Sequence, residues 1–348
     1  MVIQENVALA PLTTLAVGGL ARYFVQAASI AGTKEAVQAA SSRNLPLFVL
    51  GGGSNLVISD SGWPGLVLRI AIPGIERRDE GGAAIFEVGA GEEWDKFVSQ
   101  AVALNCAGVE CLSGIPGSVG GTPVQNVGAY GQEVSETIES VLALDLRDGQ
   151  LHELCNEACG FSYRTSIFNT TERGRYIILR VTYRLEPGGQ PQIRYADLQR
   201  EFASWSRPAS LQETRDAVRK IRASKGMLIT PGDEDSRSAG SFFKNPVLAE
   251  EQFAALTQRA AAKGLQVPSY PALDASRKVS AAWLVEHSGF HKGFRNGRAG
   301  LSSKHALAIV NRGQASAADI VAMKETVQSG VFENWGIRLE PEPVFVGF

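Results

Sequence analysis

The segment at residues 113–131, SGIPGSVGGTPVQNVGAYG, has the composition of a ligand-binding loop. It is rich in glycine and contains two prolines, so no regular helix or strand is expected and another partner must hold its backbone. Glycines admit a ligand close to the chain and expose N–H groups that can bind the diphosphate of a dinucleotide. A plain surface loop is the alternative, but such loops are usually hydrophilic, and this segment contains isoleucine and several valines.

A second glycine motif, GGGSN at residues 51–55, directly follows the apolar stretch Leu47–Leu50. A strand that ends in a glycine turn is typical of a phosphate site. The residues at 56–59 have strand character, however, whereas the GxGxxG dinucleotide fingerprint requires a helix at this point. This motif by itself is therefore not specific.

The histidines and cysteines do not form a recognisable metal or redox site. His287 and His291 lie four residues apart, but Gly289 separates them and no HExxH pattern is present, so we predict polar histidines at helix ends and no metal. The cysteines lack CxxC spacing and are too few for a disulfide scaffold, so free buried thiols are expected. They are Cys106, Cys111, Cys155 and Cys159.

The composition is that of a globular protein with two or three domains, at 348 residues, 44% apolar and 20% charged. A net charge of −2 gives no long-range field for nucleic acid or for an anionic membrane. The first residues lack a basic flank, and no apolar run reaches about 18 residues. We expect a cytoplasmic protein without nucleic-acid or membrane partners.

Helices and strands alternate in a way that predicts an α+β chain. Thr33 is expected to cap a helix that runs to about Asn44, and a helix with an apolar stripe is expected at 92–105. A polar, proline-containing break at 206–208 precedes a helix at 211–225 and indicates a domain boundary. Strands are expected at 47–50, 67–70, 84–88, 140–146, 176–183, 306–310 and 337–346, and further helices at 249–263, 280–287 and 317–332.

Five motifs together resemble one family, the UDP-N-acetylenolpyruvoylglucosamine reductases, and they occur in that family's order over most of the chain. They are GGGSNLV at 51–57, SGIPGSVGGTPVQNVGAYGQE at 113–133, FSYRTSIF at 161–168, AGSFFKNP at 239–246 and LEPE at 339–342. Each motif is weak alone, whereas the set is specific. The insertion RYADL at 194–198 resembles the type I branch, in which a tyrosine loop covers the nucleotide sugar.

The resemblance implies an α+β fold with a two-part FAD-binding region of the vanillyl-alcohol-oxidase (PCMH) type and a C-terminal α+β substrate-binding domain. We expect the first FAD-binding part at residues 1–70, joined by a C-terminal strand within 331–348. The second FAD-binding part, with the tyrosine loop, is expected at 71–206, and the substrate-binding domain at 207–330. The last strand is then expected to return to the first segment.

The implied reaction is the NADPH-dependent, FAD-mediated reduction of UDP-N-acetylglucosamine enolpyruvate to UDP-N-acetylmuramate, for peptidoglycan synthesis. Hydride transfer from flavin N5 to C3 places negative charge on C2 and its carboxylate, which requires a fixed cation or donors, and C2 then requires a proton. By motif position, Arg164 is the catalytic arginine, Ser241 the proton donor and Glu342 the third catalytic residue. Without the resemblance, these residues are interpreted as a surface ion pair, a turn-capping serine and a charge near the terminus.

FAD is expected to bind noncovalently, because oxidases of this fold that tether it use a histidine near the first glycine loop, and none precedes His152. The implied cofactor contacts are Gly51, Gly52, Gly53, Ser54, Asn55, Leu56, Ser113, Gly114, Gly117, Gly121, Asn126, Gly128 and Ala129. Thr165, Pro343 and Val344 differ from the family's usual residues, which affects how Arg164 is held and which groups contact the flavin edge.

The implied substrate contacts are Tyr195, Arg222, Lys225 and Asn245. Cations suit a diphosphate and an amide suits a uracil edge, although Arg222 and Lys225 are equally favourable charges for a helix C-terminus. Two other classes of function stay open: an oxidase of the same fold that returns electrons to oxygen, and a nucleotide-binding module without catalysis. The three catalytic candidates argue against the module. We expect a monomer.

Overall fold

The computed structural model describes residues 1–272 and 275–348, which form two compact units. Each unit is assembled from separate stretches of chain. Unit 1 contains Met1–Val7, Ala21–Gly53 and Trp63–Ser224; unit 2 contains Ala8–Leu20, Ser54–Gly62 and Lys225–Phe348. The units are defined by compactness alone, so the expected functional divisions at 1–70, 71–206 and 207–330 remain a prediction.

The secondary structure is mixed along the whole chain. Helices α1 to α7 span Ile30–Ser42, Trp94–Ala103, Ala196–Phe202, Leu211–Ser224, Glu250–Ala261, Ala281–Glu286 and Ala317–Trp335. Strands β1 to β10 span Gln4–Ala8, Leu20–Ala27, Leu47–Leu50, Leu56–Ile58, Trp63–Ile70, Ile75–Glu80, Ala83–Gly89, Cys106–Ala107, Gly128–Ala129 and Gln132–Glu133. Strands β11 to β20 span Ile138–Asp145, Leu151–Cys155, Tyr176–Pro187, Val247–Leu248, Ser269–Pro271, Arg277–Val279, Arg295–Asn296, Ala299–Leu301, Ile309–Asn311 and Val344–Val346.

Unit 1 contains two principal sheets. The first has the order β1-β2-β5-β3, in which β2 and β3 each pair in parallel with β5. The second has the order β12-β11-β13-β7-β6 and is antiparallel. Against it, α2 buries Trp94 and Phe97, whose rings lie 5.8 and 4.8 Å from that of Tyr183 on β13. Because α2 is fixed in this core, its first turn is a rigid support for the residues that contact it.

Unit 2 joins the last strand of the chain to an early one. β20 pairs in parallel with β4, with Val344 opposite Leu56, which confirms that the last strand returns to the first segment. Two small antiparallel sheets, β14-β16-β15 and β17-β18-β19, complete the strands of this unit. Its core contains Phe242, Phe243 and Trp335, and α7 runs through it from its Ser316 cap.

The start of α1 differs from the prediction. The N-cap is Ser29, whose hydroxyl accepts from the Gly32 N–H at 3.1 Å. Thr33, the expected cap, is buried inside the first turn and its hydroxyl donates to the Ser29 carbonyl at 3.0 Å. A serine four residues earlier reaches the orphan N–H groups better, so the prediction placed the helix start too late.

The last strand is shorter than predicted. Only Val344–Val346 is a strand, whereas 337–346 was expected. Pro341 and Pro343 have no N–H to donate, so a regular ladder cannot extend through them. The strand expected at 306–310 is likewise displaced, to Ile309–Asn311. Among residues 1–272 and 275–348, no helix is both long enough and apolar enough to cross a membrane.

Candidate active site

Two glycine-rich stretches of unit 1 lie against each other. A Cβ atom added at Gly52 would lie 2.5 Å from the Cα of Gly117 and 2.6 Å from the backbone N of Ser118. At Gly51, an added Cβ would lie 2.9 Å from the Ser118 hydroxyl oxygen. Side chains at these positions would separate the two stretches, so glycine is required for their close approach.

Ser118 carries a polar group that the protein leaves unsatisfied. Its Oγ is buried and has no hydrogen-bond partner among the described residues. A buried hydroxyl without a partner is costly unless a ligand or water supplies one. The hydroxyl lies where the two glycine stretches meet, and a diphosphate oxygen is an acceptor that suits it. These residues therefore fit a dinucleotide cofactor. The sequence prediction missed Ser118, although it lies inside the SGIPGSVGG motif.

The glycine-rich segment is held by side chains at its beginning. The Ser113 hydroxyl donates to the Glu110 carbonyl at 2.6 Å. The Gly114 N–H donates to Asp95 Oδ1 at 2.6 Å, and the Gly114 carbonyl accepts from Arg222 Nε at 3.1 Å. Both polar groups of Gly114 are thus engaged by protein side chains. The side chains of Asp95 and Arg222 stabilise the shape of the segment, whereas the sequence predicted that the glycine N–H groups face the ligand.

Asn126 connects the segment to the chain around Arg164. Its Nδ2 donates to Glu133 Oε2 at 2.7 Å and to the Ser162 carbonyl at 3.1 Å, and its Oδ1 accepts from the Ser135 N–H at 3.1 Å. The side chain is almost completely buried. In this structure Asn126, an expected cofactor contact, fixes the turn that carries Arg164.

Arg164 occupies a tight turn of unit 1. Ser162 and Thr165 exchange two backbone hydrogen bonds of 3.0 Å, and Arg164 within this turn has a left-handed φ of 56°. Its Nη2 donates to the Gly128 carbonyl at 2.7 Å, and its guanidinium lies 5.2 Å from the centre of the Tyr163 ring. The backbone of Thr165 therefore holds the turn without an acidic side chain at that position, and the guanidinium is aimed by Gly128.

The tyrosine loop presents Tyr195 at the surface of unit 1. Tyr195 is 44% exposed and its ring meets that of Tyr130 edge to face, with 5.4 Å between centroids. Arg222, on the last turn of α4, is only 8% exposed. Tyr195 is thus accessible to a ligand, whereas the guanidinium of Arg222 is fixed beneath the glycine-rich segment.

In unit 2, the segments that carry Ser241 and Glu342 run side by side. The Glu342 N–H donates to the Phe242 carbonyl at 2.8 Å, and Lys244 N–H donates to the Glu340 carbonyl at 2.9 Å. Phe243 and Pro341 form an antiparallel bridge between them. Residues 101 positions apart are thus brought to neighbouring places, and both Ser241 and Glu342 are half-buried.

The first glycine motif continues into the same part of unit 2. Asn55 Nδ2 donates to the Glu342 carbonyl at 3.2 Å, and the Val344 N–H donates to the Asn55 carbonyl at 3.0 Å. Leu56 then enters β4 beside β20. Asn55, an expected cofactor contact, therefore fixes the backbone of Glu342, as does the extended Pro-Glu-Pro sequence around it.

Asn245 and Lys225, the expected substrate contacts in unit 2, already interact with other residues of the protein. Asn245 Oδ1 accepts from the Ala281 N–H at 2.9 Å, at the start of α6. Lys225 is half-buried near His305.

Burial lowers the pKa of His305 to about 4, with Lys225 and Lys292 adding to the effect. His305 Nδ1 accepts from the Leu307 N–H at 3.0 Å, so the ring is neutral with its proton on Nε2.

Comparison with known proteins identifies the family. A family described as the C-terminal domain of UDP-N-acetylenolpyruvoylglucosamine reductase matches residues 231–346, and an FAD-binding domain family matches residues 21–154. UDP-N-acetylenolpyruvoylglucosamine reductase of Streptomyces coelicolor is 46% identical over 99% of this chain and 91% of its own length. The Thermobifida fusca protein of the same name is 44% identical over 99% of this chain and 98% of its own.

The chain belongs to the UDP-N-acetylenolpyruvoylglucosamine reductase family. A solved reductase structure, from Thermus caldophilus, has 28% sequence identity and a TM-score of 0.68, covering 99% of this chain and all of that one. The predicted family, the α+β fold class with an FAD-binding region, and the FAD-dependent oxidoreductase class are thereby confirmed. FAD is the cofactor of this reductase, and the matched FAD-binding domain, residues 21–154, contains both glycine stretches.

Two histidines, the cysteines and one acidic group are the other candidates for metal or redox chemistry. His287 Nδ1 donates to the Trp283 carbonyl at 2.8 Å and its ring stacks on the Trp283 ring, while His291 Nδ1 donates to the Lys292 carbonyl at 2.9 Å. Of the cysteines, Cys155 is exposed, contrary to the expectation of buried thiols, because it ends the edge strand β12. Asp145, Asp148 and His152 form a group whose polar atoms lie within 4.8 Å of one another, but Arg175 already donates twice to Asp145.

Proposed function

We propose that this chain reduces UDP-N-acetylglucosamine enolpyruvate to UDP-N-acetylmuramate with NADPH as the electron donor. The observation that carries this proposal is the pairing of the two segments that hold Ser241 and Glu342, with the Glu342 N–H bonded to the Phe242 carbonyl at 2.8 Å. A proton donor and a carboxylate on adjacent backbone positions suit a substrate carbon that must be protonated from one face. Family membership supplies the substrate class.

Arg164 stabilises the negative charge that develops during the reaction. The glycine stretches around Gly52 and Ser118 would hold FAD, which would supply the hydride chemistry between NADPH and C3 of the enolpyruvyl group. Negative charge would then develop on C2 and its carboxylate. The guanidinium fork is permanently charged and matches the geometry of a carboxylate. Its bond to the Gly128 carbonyl, at 2.7 Å, fixes the fork before the substrate arrives, so little reorganisation is needed.

Ser241 then donates the proton that C2 requires. A hydroxyl is a weak acid, but a carbanion-like carbon is far more basic, so the transfer is favourable. Ser241 does not lie in a GxSxG elbow and no histidine lies near it in the sequence, which is consistent with a proton donor and not with a nucleophile. Glu342, held extended between two prolines, assists proton delivery or enol stabilisation.

An aromatic residue, two cations and an amide bind the nucleotide. Tyr195 covers the nucleotide sugar, Lys225 and Arg222 balance the diphosphate charge, and Asn245 contacts the uracil edge through its amide. Arg222 is buried, so its charge acts through the electric field of the site. We also propose that the enzyme works as a monomer in the cytoplasm, where a nucleotide-linked precursor is made.

An absorbance spectrum followed through both halves of the reaction tests this proposal. Under anaerobic conditions NADPH should bleach the visible flavin band, and the enolpyruvyl nucleotide should then restore it. Recovery with oxygen and not with the nucleotide would instead identify an oxidase. A protein that NADPH cannot bleach would be a binding module.

A further inference from the structure

Asp95 lies in the first turn of α2 and joins three parts of unit 1. Its Oδ1 accepts the Gly114 N–H at 2.6 Å, so it contacts the glycine-rich segment directly. The same carboxylate accepts two bonds from Arg215, at 2.6 and 2.9 Å, and one from Arg219 at 2.5 Å. A carboxylate with four N–H donors is fixed in position much more firmly than an ordinary surface ion pair.

The charge state of Asp95 suits this role. Burial alone would raise the pKa of the carboxyl, but the hydrogen bonds from Arg215 and Gly114, with the positive charges of Arg215 and Arg219, hold the pKa below its ordinary value. The group is therefore an anion throughout the neutral range. An anion can accept all four bonds at once, which a protonated acid cannot do.

One face of α4 supplies the other half of the arrangement. Arg215, Arg219 and Arg222 are spaced four and three residues apart, so their side chains lie along the same side of the helix. The first two bind Asp95, and Arg222 Nε donates to the Gly114 carbonyl. The N–H and C=O of Gly114 are thus held from opposite sides, while φ at this residue is +72°, which favours glycine.

The neighbouring residue of α2 holds the segment three positions further on. The Trp94 N–H donates to the Gly117 carbonyl at 3.1 Å, and Trp94 Nε1 donates to the Leu112 carbonyl at 3.0 Å. Gly117 is the residue against which Gly52 packs, next to the unsatisfied hydroxyl of Ser118. Asp95 and Trp94 therefore hold the stretch 114–117 at its two ends.

We infer that Asp95 is a positioning residue for the flavin cofactor, which sets the path of residues 114–118 and so the alignment of Ser118 with Gly52. It does not touch the reacting atoms. Its effect reaches the cofactor through Gly114, and it depends on α4 chiefly for Arg215, whose two hydrogen bonds orient the carboxylate.

The test compares three variants of the holoenzyme. FAD release on dilution is followed by the fluorescence of free flavin, and the positions of the visible absorption bands of the bound flavin are recorded. Asp95→Asn should raise the FAD dissociation constant about 10-fold or more and shift the visible bands, since an amide cannot accept all four bonds. Asp95→Glu keeps the charge for the arginines but moves the carboxylate by one methylene, so it should fold normally and still weaken FAD binding.

Two controls separate positioning from simple stabilisation. Asp145→Asn breaks a comparable buried Asp–Arg pair in unit 1, between Asp145 and Arg175, that does not contact the glycine-rich segment. It should lower the melting temperature without changing FAD affinity or the spectrum. Arg219→Gln removes one donor to Asp95 and leaves the Gly114 bond, so FAD affinity should change little.

The inference is wrong if Asp95→Glu binds FAD within about two-fold of the unmodified enzyme with an unchanged spectrum. It is equally wrong if Asp145→Asn or Arg219→Gln weakens FAD as much as Asp95→Asn does. Either result would reduce Asp95 to an ion pair between two helices.

Discussion

The glycine-rich segment of unit 1 and the GSFFKNP segment of unit 2 are held in place by different means. In unit 1 glycines let two stretches of backbone touch, and charged side chains outside the segment, such as Asp95 and Arg222, fix its path. In unit 2 the backbone of the GSFFKNP segment pairs with residues 340–342, which brings Ser241 and Glu342 to neighbouring positions. Substitutions in the first region should therefore affect cofactor retention, and those in the second should affect chemistry.

The sharpest test of this contrast is Ser241→Ala. Loss of one positioned general acid should slow reoxidation of the flavin by the enolpyruvyl nucleotide about 10² to 10⁴-fold, or roughly 3 to 5 kcal/mol in barrier. Reduction of the flavin by NADPH needs no proton at C2 and should stay near normal. Serine to cysteine should recover part of the rate. Rapid mixing measures each half-reaction, and unchanged reoxidation in Ser241→Ala would make Ser241 a turn residue only.

A second test concerns the stability of unit 2 in acid. His305 has a pKa of about 4 when folded and an ordinary value near 6.5 when unfolded, so the unfolded chain binds the proton first. The free energy of unfolding should therefore be unaffected above pH 7 and should fall as the pH drops from 6.5 to 4, by on the order of 3 kcal/mol from this residue.

The matched variant for this test is His305→Asn, because an amide oxygen can accept from the Leu307 N–H in place of Nδ1. Urea unfolding at several pH values should show a flatter dependence in the variant. Identical pH slopes in the two proteins would contradict the assignment of a neutral, half-buried imidazole.

A third test compares two glycines of the cofactor region. Gly52→Ala places a Cβ against the Gly117 backbone and should cost about 1 to 3 kcal/mol in stability together with FAD occupancy. At Gly121 an added Cβ meets no protein atom closer than 4.0 Å, so Gly121→Ala should leave stability nearly unchanged, and any FAD loss there reports contact with the ligand itself. Melting curves measure the stability of the two variants, and the flavin content of the purified proteins measures their FAD occupancy. Normal FAD content in Gly52→Ala would contradict the close-approach argument.

The smallest expected effect is that of Tyr195→Phe. Removing one hydroxyl from an exposed ring should weaken binding of the enolpyruvyl nucleotide by about 1 kcal/mol, or roughly five-fold, and leave flavin reduction by NADPH intact. Tyr270→Phe, a change at an exposed tyrosine of unit 2, is the control and should alter neither step. Equal losses in both half-reactions of Tyr195→Phe would remove its role as a cover for the nucleotide.

The motifs of the sequence identified the family and, through the family, the FAD cofactor. Composition and spacing by themselves determined the α+β class and the two glycine stretches that are expected to bind the cofactor. These features are local: glycine and proline constrain the backbone wherever they occur, and apolar periodicity shows which segments are buried. The helix expected at 211–225 was found at Leu211–Ser224 for this reason. Arg164, Ser241 and Glu342 could be proposed because each lies in a recognisable motif.

Only the tertiary structure decided which polar groups already have hydrogen-bond partners in the protein. Asp95 meets Arg215 across 120 positions, Arg222 meets Gly114 across 108, and Asn55 meets Glu342 across 287. It also showed that the Ser118 hydroxyl has no hydrogen-bond partner within residues 1–272 and 275–348 and that Ser29, not Thr33, caps α1. Hydrogen-bond partners of this kind depend on which elements pack together, and a local pattern carries no information about a residue that lies a hundred positions away.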